Sequence, residues 1–142
     1  MSDESSIPDL GNLAQRERPS AVGLDRELEL IHGRALLAAS AAASVKAEDV
    51  KVLDMHELVA YTDYFILATG RNTRLTRRIA EEVGFRLKRD AGLLPAGSEG
   101  GGSGEWILLD YLDFVVHVFT PAAREFYRLD VLWKQAPVES VE

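Results

Sequence analysis

The chain has 142 residues, of which 46% are hydrophobic and 27% charged, so we expect one domain that can bury a core without help from metals or disulfides. It contains no cysteine, which excludes disulfides, thiolate nucleophiles and cysteine-ligated zinc or iron–sulfur sites. The formal net charge of −7 argues against a general nucleic-acid binder and against direct DNA binding, because neutralising phosphates requires clustered Lys and Arg.

Residues 1–23 show no hydrophobic period of 2 or 3.6, so we predict that they form a disordered tail. This segment lacks the apolar stretch of a secretory signal and contains acids, which organellar transit peptides avoid. The longest apolar runs of the chain fall far short of the roughly 20 residues that span a bilayer. We therefore expect a bacterial cytoplasmic protein with no membrane contact.

Residues 24–134 carry the patterns of a folded domain. Apolar residues recur at steps of three or four from Leu24, which predicts a first helix that ends near Ser44. The polar and apolar residues of 49–55 alternate, as in a half-buried strand, and Tyr64–Thr69 is continuously apolar, as in a strand covered on both faces.

A second long helix is predicted from the capping residues Asn72 and Thr73 to about Asp90. The glycine-rich segment 92–104 is predicted to be a loop without secondary structure. After it, two apolar segments separated by a very short turn predict an antiparallel hairpin of strands 106–111 and 114–119.

The side chains of this hairpin should alternate between two faces. One face is predicted to hold Trp106, Leu108, Val115, His117 and Phe119, and the other Ile107, Leu109, Phe114, Val116 and Val118.

Thr120 and Pro121 form a helix start, from which one last helix is predicted to continue through Phe126 and Leu129 to Leu132 or Trp133. Residues 135–142 are predicted to be a loose C-terminal tail. The order helix, strand, strand, helix, strand, strand, helix indicates an α/β domain with a mixed sheet and flanking helices.

Two motifs suggest chemistry that the spacing does not favour. The glycine-rich loop could cradle a phosphate, but it leads into a strand, whereas phosphate-binding loops lead into a helix N-terminus. Asp110 and Asp113 could hold metal ions, but a nucleotidyltransferase-type site needs two acids two residues apart on one strand, and that second position is Leu112. We therefore expect no metal, no cofactor and no enzymatic activity.

Two further features have competing interpretations. His117 lies within an apolar strand without a second base or nucleophile at a useful spacing, so a core or interface role is favoured over catalysis. Four arginines crowd the start of the second helix, where positive charge opposes the helix dipole. They either form i, i+4 pairs, Arg77 with Glu81 and Arg78 with Glu82, or contact an anion or RNA.

The segment from Glu99 to Asp130 is the candidate partner-binding region. It holds six acidic residues against two basic ones, together with Trp106, Phe126 and Tyr127. Aromatic anchors surrounded by one sign of charge suit a basic protein partner, because the aromatics supply buried area and the charges guide encounter. Trp106 could equally be a core residue, and the sequence favours neither role.

Several segments together resemble the Iojap family of ribosomal silencing factors. The similarity covers roughly residues 28–133, in order and with similar spacing. Its main motifs are AEDVKVLD at 47–54, YTDYFILATG at 61–70, EWILLDY at 105–111, VVHVF at 115–119 and REFYRL at 124–129.

The resemblance implies a fold akin to nucleotidyltransferases but without their catalytic acids. It further implies binding to the large ribosomal subunit through its fourteenth protein, so that the small subunit cannot dock and translation is repressed when nutrients are scarce or growth has stopped. Members of the family also tend to self-associate. By position, the motif residues expected at the interface are Trp106, Leu108, Asp110, Tyr111, His117, Arg124, Glu125, Phe126 and Tyr127.

The chain departs from the family pattern at the hairpin turn, where Leu112 replaces the usual glycine. A two-residue turn with positive φ disfavours Leu, so we expect a displaced or widened turn. Two alternative functions remain: a ribosome-assembly factor that binds RNA through the arginine cluster, and a nucleotidyltransferase-like enzyme.

Overall fold

The computed structural model describes residues 24–142, so the predicted tail at 1–23 lies outside the described residues. Four helices and six strands follow in chain order within these described residues: α1 (Leu24–Ser44), β1 (Glu48–Asp54), β2 (Tyr64–Thr69), α2 (Thr73–Ala91), β3 (Gly97–Glu99), β4 (Trp106–Asp110), β5 (Phe114–Phe119), α3 (Pro121–Tyr127), α4 (Leu129–Leu132) and β6 (Val138–Val141). In the described part of the chain no helix combines the length and the apolar character needed to cross a bilayer.

All six strands form one sheet in the order β3-β4-β5-β2-β1-β6. Strands β2 and β5 at its centre run parallel, and every other neighbouring pair runs antiparallel. Both central strands are buried along their whole length, as expected for strands covered on both faces. The predicted α/β class with a mixed sheet and flanking helices is confirmed.

The two faces of the sheet belong to two separate hydrophobic clusters. The first cluster packs the sheet against α1 and α2 and includes Ile107, Leu109, Phe114, Val116 and Val118. The second cluster lies on the opposite face and includes Trp106, Leu108, Val115 and Phe119. The predicted division of the hairpin side chains is therefore confirmed for these residues, because alternate strand residues point to opposite faces.

Helix α2 has the predicted start. The side chain of Asn72 accepts a hydrogen bond from the N–H of Leu75, which satisfies one of the free donors of the first turn. At the other end Gly92 takes a left-handed conformation, and its N–H donates to the carbonyl of Lys88. Ile79, Val83 and Leu87 lie on the buried face of this helix.

The glycine-rich segment was predicted to be a loop throughout, and this prediction was wrong for Gly97–Glu99, which forms the edge strand β3. Its residues pair with Leu108 to Asp110 of β4. A short segment of Gly, Ser and Glu has no hydrophobic alternation, so backbone hydrogen bonds alone define the strand. Arg77 holds the part of the segment between β3 and β4, because it donates to the carbonyls of residues 101, 102 and 103.

The hairpin turn was expected to be displaced or widened, and this prediction was wrong. The N–H of Tyr111 donates to the carbonyl of Phe114, so Leu112 and Asp113 form a two-residue turn. Leu112 takes the disfavoured positive φ, 71°. The side chain of Asp110 accepts a hydrogen bond from the N–H of Leu112, which stabilises this conformation locally.

The C-terminal region differs from the prediction in two ways. The predicted last helix is split into α3 and α4 by Arg128, whose φ of 54° is left-handed. Residues 135–142 are not simply a loose tail, because Val138–Val141 forms β6 and pairs with Val50 to Leu53 of β1. The free backbone edge of β1 supplies the partners for this strand, whose side chains are largely exposed and give no hydrophobic signal.

Candidate functional site

Trp106 belongs to the second hydrophobic cluster, and His117 packs beside it. The Trp106 indole Nε1–H donates to His117 Nδ1 at 3.0 Å, and the two side chains are 3% and 0% exposed. Because an indole nitrogen can only donate, this nitrogen of His117 must be unprotonated. Burial, together with the nearby positive charge of Arg124, lowers the pKa of His117 to about 3, so the ring is neutral at physiological pH.

Aromatic side chains from α3 and from the end of α4 cover this pair. The rings of Tyr127 and Trp106 lie 4.5 Å apart, and the ring of Trp133 meets Phe65 edge to face at 6.3 Å. Phe65 in turn packs edge to face on His117 at 4.7 Å. Trp106, Leu108 and His117, all expected at the interface, are therefore buried beneath α3 and α4 in the isolated chain.

Arg124 attaches α3 to both the sheet and α4. Its guanidinium binds the Asp130 carboxylate through two hydrogen bonds of 2.9 Å, and its Nη1 donates to the Asp49 carbonyl and the Thr69 hydroxyl. Asp49 lies where the pairing of β1 with β2 is irregular, and its positive φ accompanies this bulge. Arg124 is thus a largely buried structural residue, although the sequence had placed it at the interface.

The break at Arg128 changes which side chains of the C-terminal region face solvent. The sequence predicted one helix through Phe126 and Leu129 to Leu132 or Trp133. The left-handed Arg128 interrupts it, and Val131 and Leu132 of α4 are exposed, together with Phe126 at 77%. Val131 and Leu132 were not among the residues expected at the interface, since a hydrophobic period cannot predict a left-handed residue between two short helices.

Exposed apolar residues are concentrated on these two helices. Nine large hydrophobic side chains are exposed in the described part of the chain, and three of them, Phe126, Val131 and Leu132, lie within seven consecutive residues. Exposed Glu125 precedes Phe126, and half-buried Tyr127 and Trp133 lie next to the exposed residues in sequence. We call Glu125, Phe126, Val131 and Leu132 the α3–α4 surface. A group of exposed apolar side chains next to charge is typical of an interaction site.

The two other expected site residues lie elsewhere. Asp110 is at the far end of β4 from Trp106, beside the hairpin turn. Tyr111 belongs to the first hydrophobic cluster on the opposite face, where its ring stacks on Phe114 at 5.1 Å and burial raises its pKa to about 12. The structure therefore does not bring these two residues together with the α3–α4 surface.

We expect replacement of Arg124 by Met to lower the free energy of unfolding by about 2 kcal/mol, because it leaves partly buried Asp130 with Lys51 as its remaining ion-pair partner and removes the hydrogen bonds to Asp49 and Thr69. Arg124→Lys should restore only part of this loss, since an ammonium cannot reproduce the two-bond contact. Chemical denaturation would measure both variants. Arg78→Met is the control, because Arg78 is half exposed, donates one hydrogen bond to Glu82 and leaves Glu82 with Arg86 as a partner, so the loss should be less than about 1 kcal/mol. Equal losses for Arg124→Met and Arg78→Met would contradict the structural role of Arg124.

The contacts between Arg124, Asp130 and Lys51 predict that the stability of the domain depends on pH. The hydrogen bonds from Arg124 lower the pKa of Asp130 below its usual value, and Lys51 lowers it further. A carboxyl whose pKa is lower in the folded state adds stability above its unfolded pKa and loses it as the pH falls through the folded pKa. Lowering the pH should therefore reduce the free energy of unfolding through Asp130 more in wild type than in the Arg124→Met variant.

The chain matches the family model described as ribosomal silencing factor during starvation over residues 29–142. It is 41% identical to the ribosomal silencing factor RsfS of Chromobacterium violaceum over 97 residues, which are 68% of this chain and 79% of the relative. It is 33% identical to the Bacillus subtilis factor of the same name over 106 residues, 75% of this chain and 89% of the relative. The chloroplastic Iojap protein of Zea mays is 34% identical over 71% of this chain and 44% of its own length.

Solved structures show the same relationship. A crystal structure of a Chromobacterium violaceum protein superposes with a TM-score of 0.71 at 39% identity and covers 73% of this chain and 86% of that protein. The family model spans most of the domain, and the relatives found by sequence and by fold belong to the same family. The expected family is therefore confirmed. The chain belongs to the ribosomal silencing factor family, whose members' names place them in translation regulation.

Proposed function

We propose that this protein binds the large ribosomal subunit through the α3–α4 surface and prevents the small subunit from joining, so that translation is repressed when nutrients are scarce or growth has stopped. The observation that carries the proposal is the concentration of exposed apolar side chains on α3 and α4. The names of the relatives support a ribosomal partner. The proposed contact within the large subunit is its fourteenth protein, and the mechanism requires no catalysis.

The surface has the composition of a binding site for a protein. Phe126 is almost free of packing within the chain, so a partner could bury most of its ring. The backbone of α3 that carries the ring is held in place, because Arg124 two residues earlier is bound to the sheet and to Asp130, and the ring itself meets Tyr127 edge to face at 4.9 Å. A rigid anchor loses little conformational entropy on binding. Exposed Glu125 and Arg128 flank the anchor, so charged groups of a partner can pair with them at the edge of the contact.

Buried Trp106 and His117 support this surface without contacting the partner. The ring of Tyr127 rests on Trp106, and the indole is held by its hydrogen bond to His117. Changes at Trp106 would therefore affect binding through the position of α3. Self-association of the chain is a further part of the proposal, supported by the family resemblance alone.

We expect the double variant Phe126→Asp/Leu132→Asp to bind purified large subunits at least about thirtyfold more weakly than wild type, because loss of a central anchor costs 2 kcal/mol or more. Co-sedimentation with large and small subunits, kept separate, measures binding, and light scattering measures subunit joining. Wild type should bind large subunits, ignore small ones and slow joining. Melting curves confirm that the variant is folded.

The matched control is Phe85→Asp/Leu94→Asp, which places the same two charges on exposed apolar positions outside the α3–α4 surface. It should bind large subunits like wild type. If wild type binds both subunits equally, silencing by subunit separation is wrong. If both double variants lose binding equally, the interface is not on α3 and α4.

A further inference from the structure

A basic cavity lies at the start of α2, in a chain whose net charge is strongly negative. It has a volume of about 390 Å³ and six lining residues, of which four are basic and none is acidic. These residues are Lys46, Arg71, Asn72, Arg74, Leu75 and Arg78. Lys46 comes from the turn after α1, whereas the others come from the first turns of α2 and the residues before it. Two separate segments of the chain thus bring positive charge to one cavity.

The local ion pairs leave most of this charge available. Arg71 has Glu48 as its partner at 3.7 Å, but both side chains are more than half exposed, so the pair is weak. Arg78 pairs with Glu82 one turn further along the helix. Among the described residues, no ion pair involves Lys46 or Arg74.

The position of the arginines is unfavourable for the folded chain alone. Cations near a helix N-terminus oppose the helix dipole, and the first turn of α2 contains no acidic residue to offset them. The guanidinium of Arg77 is already engaged, since it donates hydrogen bonds to carbonyls of the glycine-rich loop. No comparable contact within the described residues occupies Arg74. An anion from outside the chain would relieve the repulsion and use the free N–H groups of the helix start.

We propose that this cavity binds backbone phosphates of ribosomal RNA when the protein is on the large subunit, an inference that rests on the proposed function. RNA fits better than a single small anion, because the four cations come from two chain segments and can contact successive phosphates. The acidic remainder of the protein repels RNA, which confines the contact to this cavity. The α3–α4 surface provides the protein contact, and the basic cavity adds a salt-dependent contact.

The test compares the affinity of full-length proteins for purified large subunits as monovalent salt is raised from about 50 to 200 mM at constant magnesium. Arg71→Glu/Arg74→Glu should weaken binding about tenfold or more at the lowest salt and reduce the salt slope by about one to two. The control Arg26→Glu/Lys88→Glu makes the same change of charge at exposed positions away from the cavity. It should keep the affinity and slope of wild type.

A second arm identifies what occupies the cavity. A photoreactive benzoylphenylalanine at Lys46, illuminated on large subunits, should cross-link to ribosomal RNA. A cross-link to ribosomal protein alone would overturn the inference, as would an Arg71→Glu/Arg74→Glu variant that binds like the control. In both cases wild type would still bind large subunits, so the proposed function would stand. Failure of wild type to bind large subunits at all would instead refute the proposed function.

Discussion

Lowering the pH from 7 to 4.5 is expected to reduce the free energy of unfolding by about 2.5 kcal/mol through His117 alone. The pKa of this residue is 6.5 in the unfolded chain and about 3 in the folded one, where burial excludes the charged ring. Between these values the unfolded chain binds a proton that the folded chain does not. Stability from this group is therefore fully present above pH 6.5 and declines as the pH falls towards 3.

Chemical denaturation at a series of pH values would measure this dependence. His117→Asn is the appropriate comparison, because its side-chain oxygen can still accept the hydrogen bond from Trp106 but the residue does not titrate. The variant should be less stable at pH 7, since it leaves a small cavity, but its stability should fall much less between pH 7 and 4.5. Parallel curves for the two proteins would show that His117 is not held neutral by burial.

Replacing Gly100 by Ala is expected to destabilise the domain by about 3 kcal/mol or more. Gly100 has a φ of 84°, where a side chain is strained, and an added Cβ would lie 1.9 Å from the carbonyl oxygen of Trp106. That oxygen belongs to the backbone at the start of β4, so it cannot move without displacing the strand. Since Trp106 also supports Tyr127, the variant should bind large subunits less well than wild type.

Gly101→Ala provides the control one residue away. No atom lies within 4 Å of the Cβ that it would add, and its φ is not in the left-handed region. Its stability should differ from wild type by less than about 1 kcal/mol, and a gain is expected if the backbone is compatible with Ala. Thermal melting of both variants checks the contrast. Similar melting temperatures would show that the loop does not pack against β4 as closely as the structure indicates.

The sequence alone predicted the features of the fold that depend on hydrophobic periodicity and capping. The burial of β2, the two faces of the β4–β5 hairpin and the Asn72 cap of α2 all follow from local patterns, and the structure confirms them. It also predicted the family, because the motifs extend in order over most of the domain. These features could be predicted because each depends on residues close together in the chain.

Tertiary structure decided which site residues reach solvent. The sequence left the role of Trp106 open, and packing against Tyr127 and His117 buries it. Arg124 has a structural role because its guanidinium contacts Asp49, Thr69 and Asp130. The first two are distant in sequence, and Asp130 lies beyond the helix break. The left-handed Arg128 exposes Val131 and Leu132, and β6 forms only because β1 offers a free backbone edge. Such contacts join segments that are far apart in the sequence, so a local hydrophobic pattern cannot predict them and only the folded chain determines them.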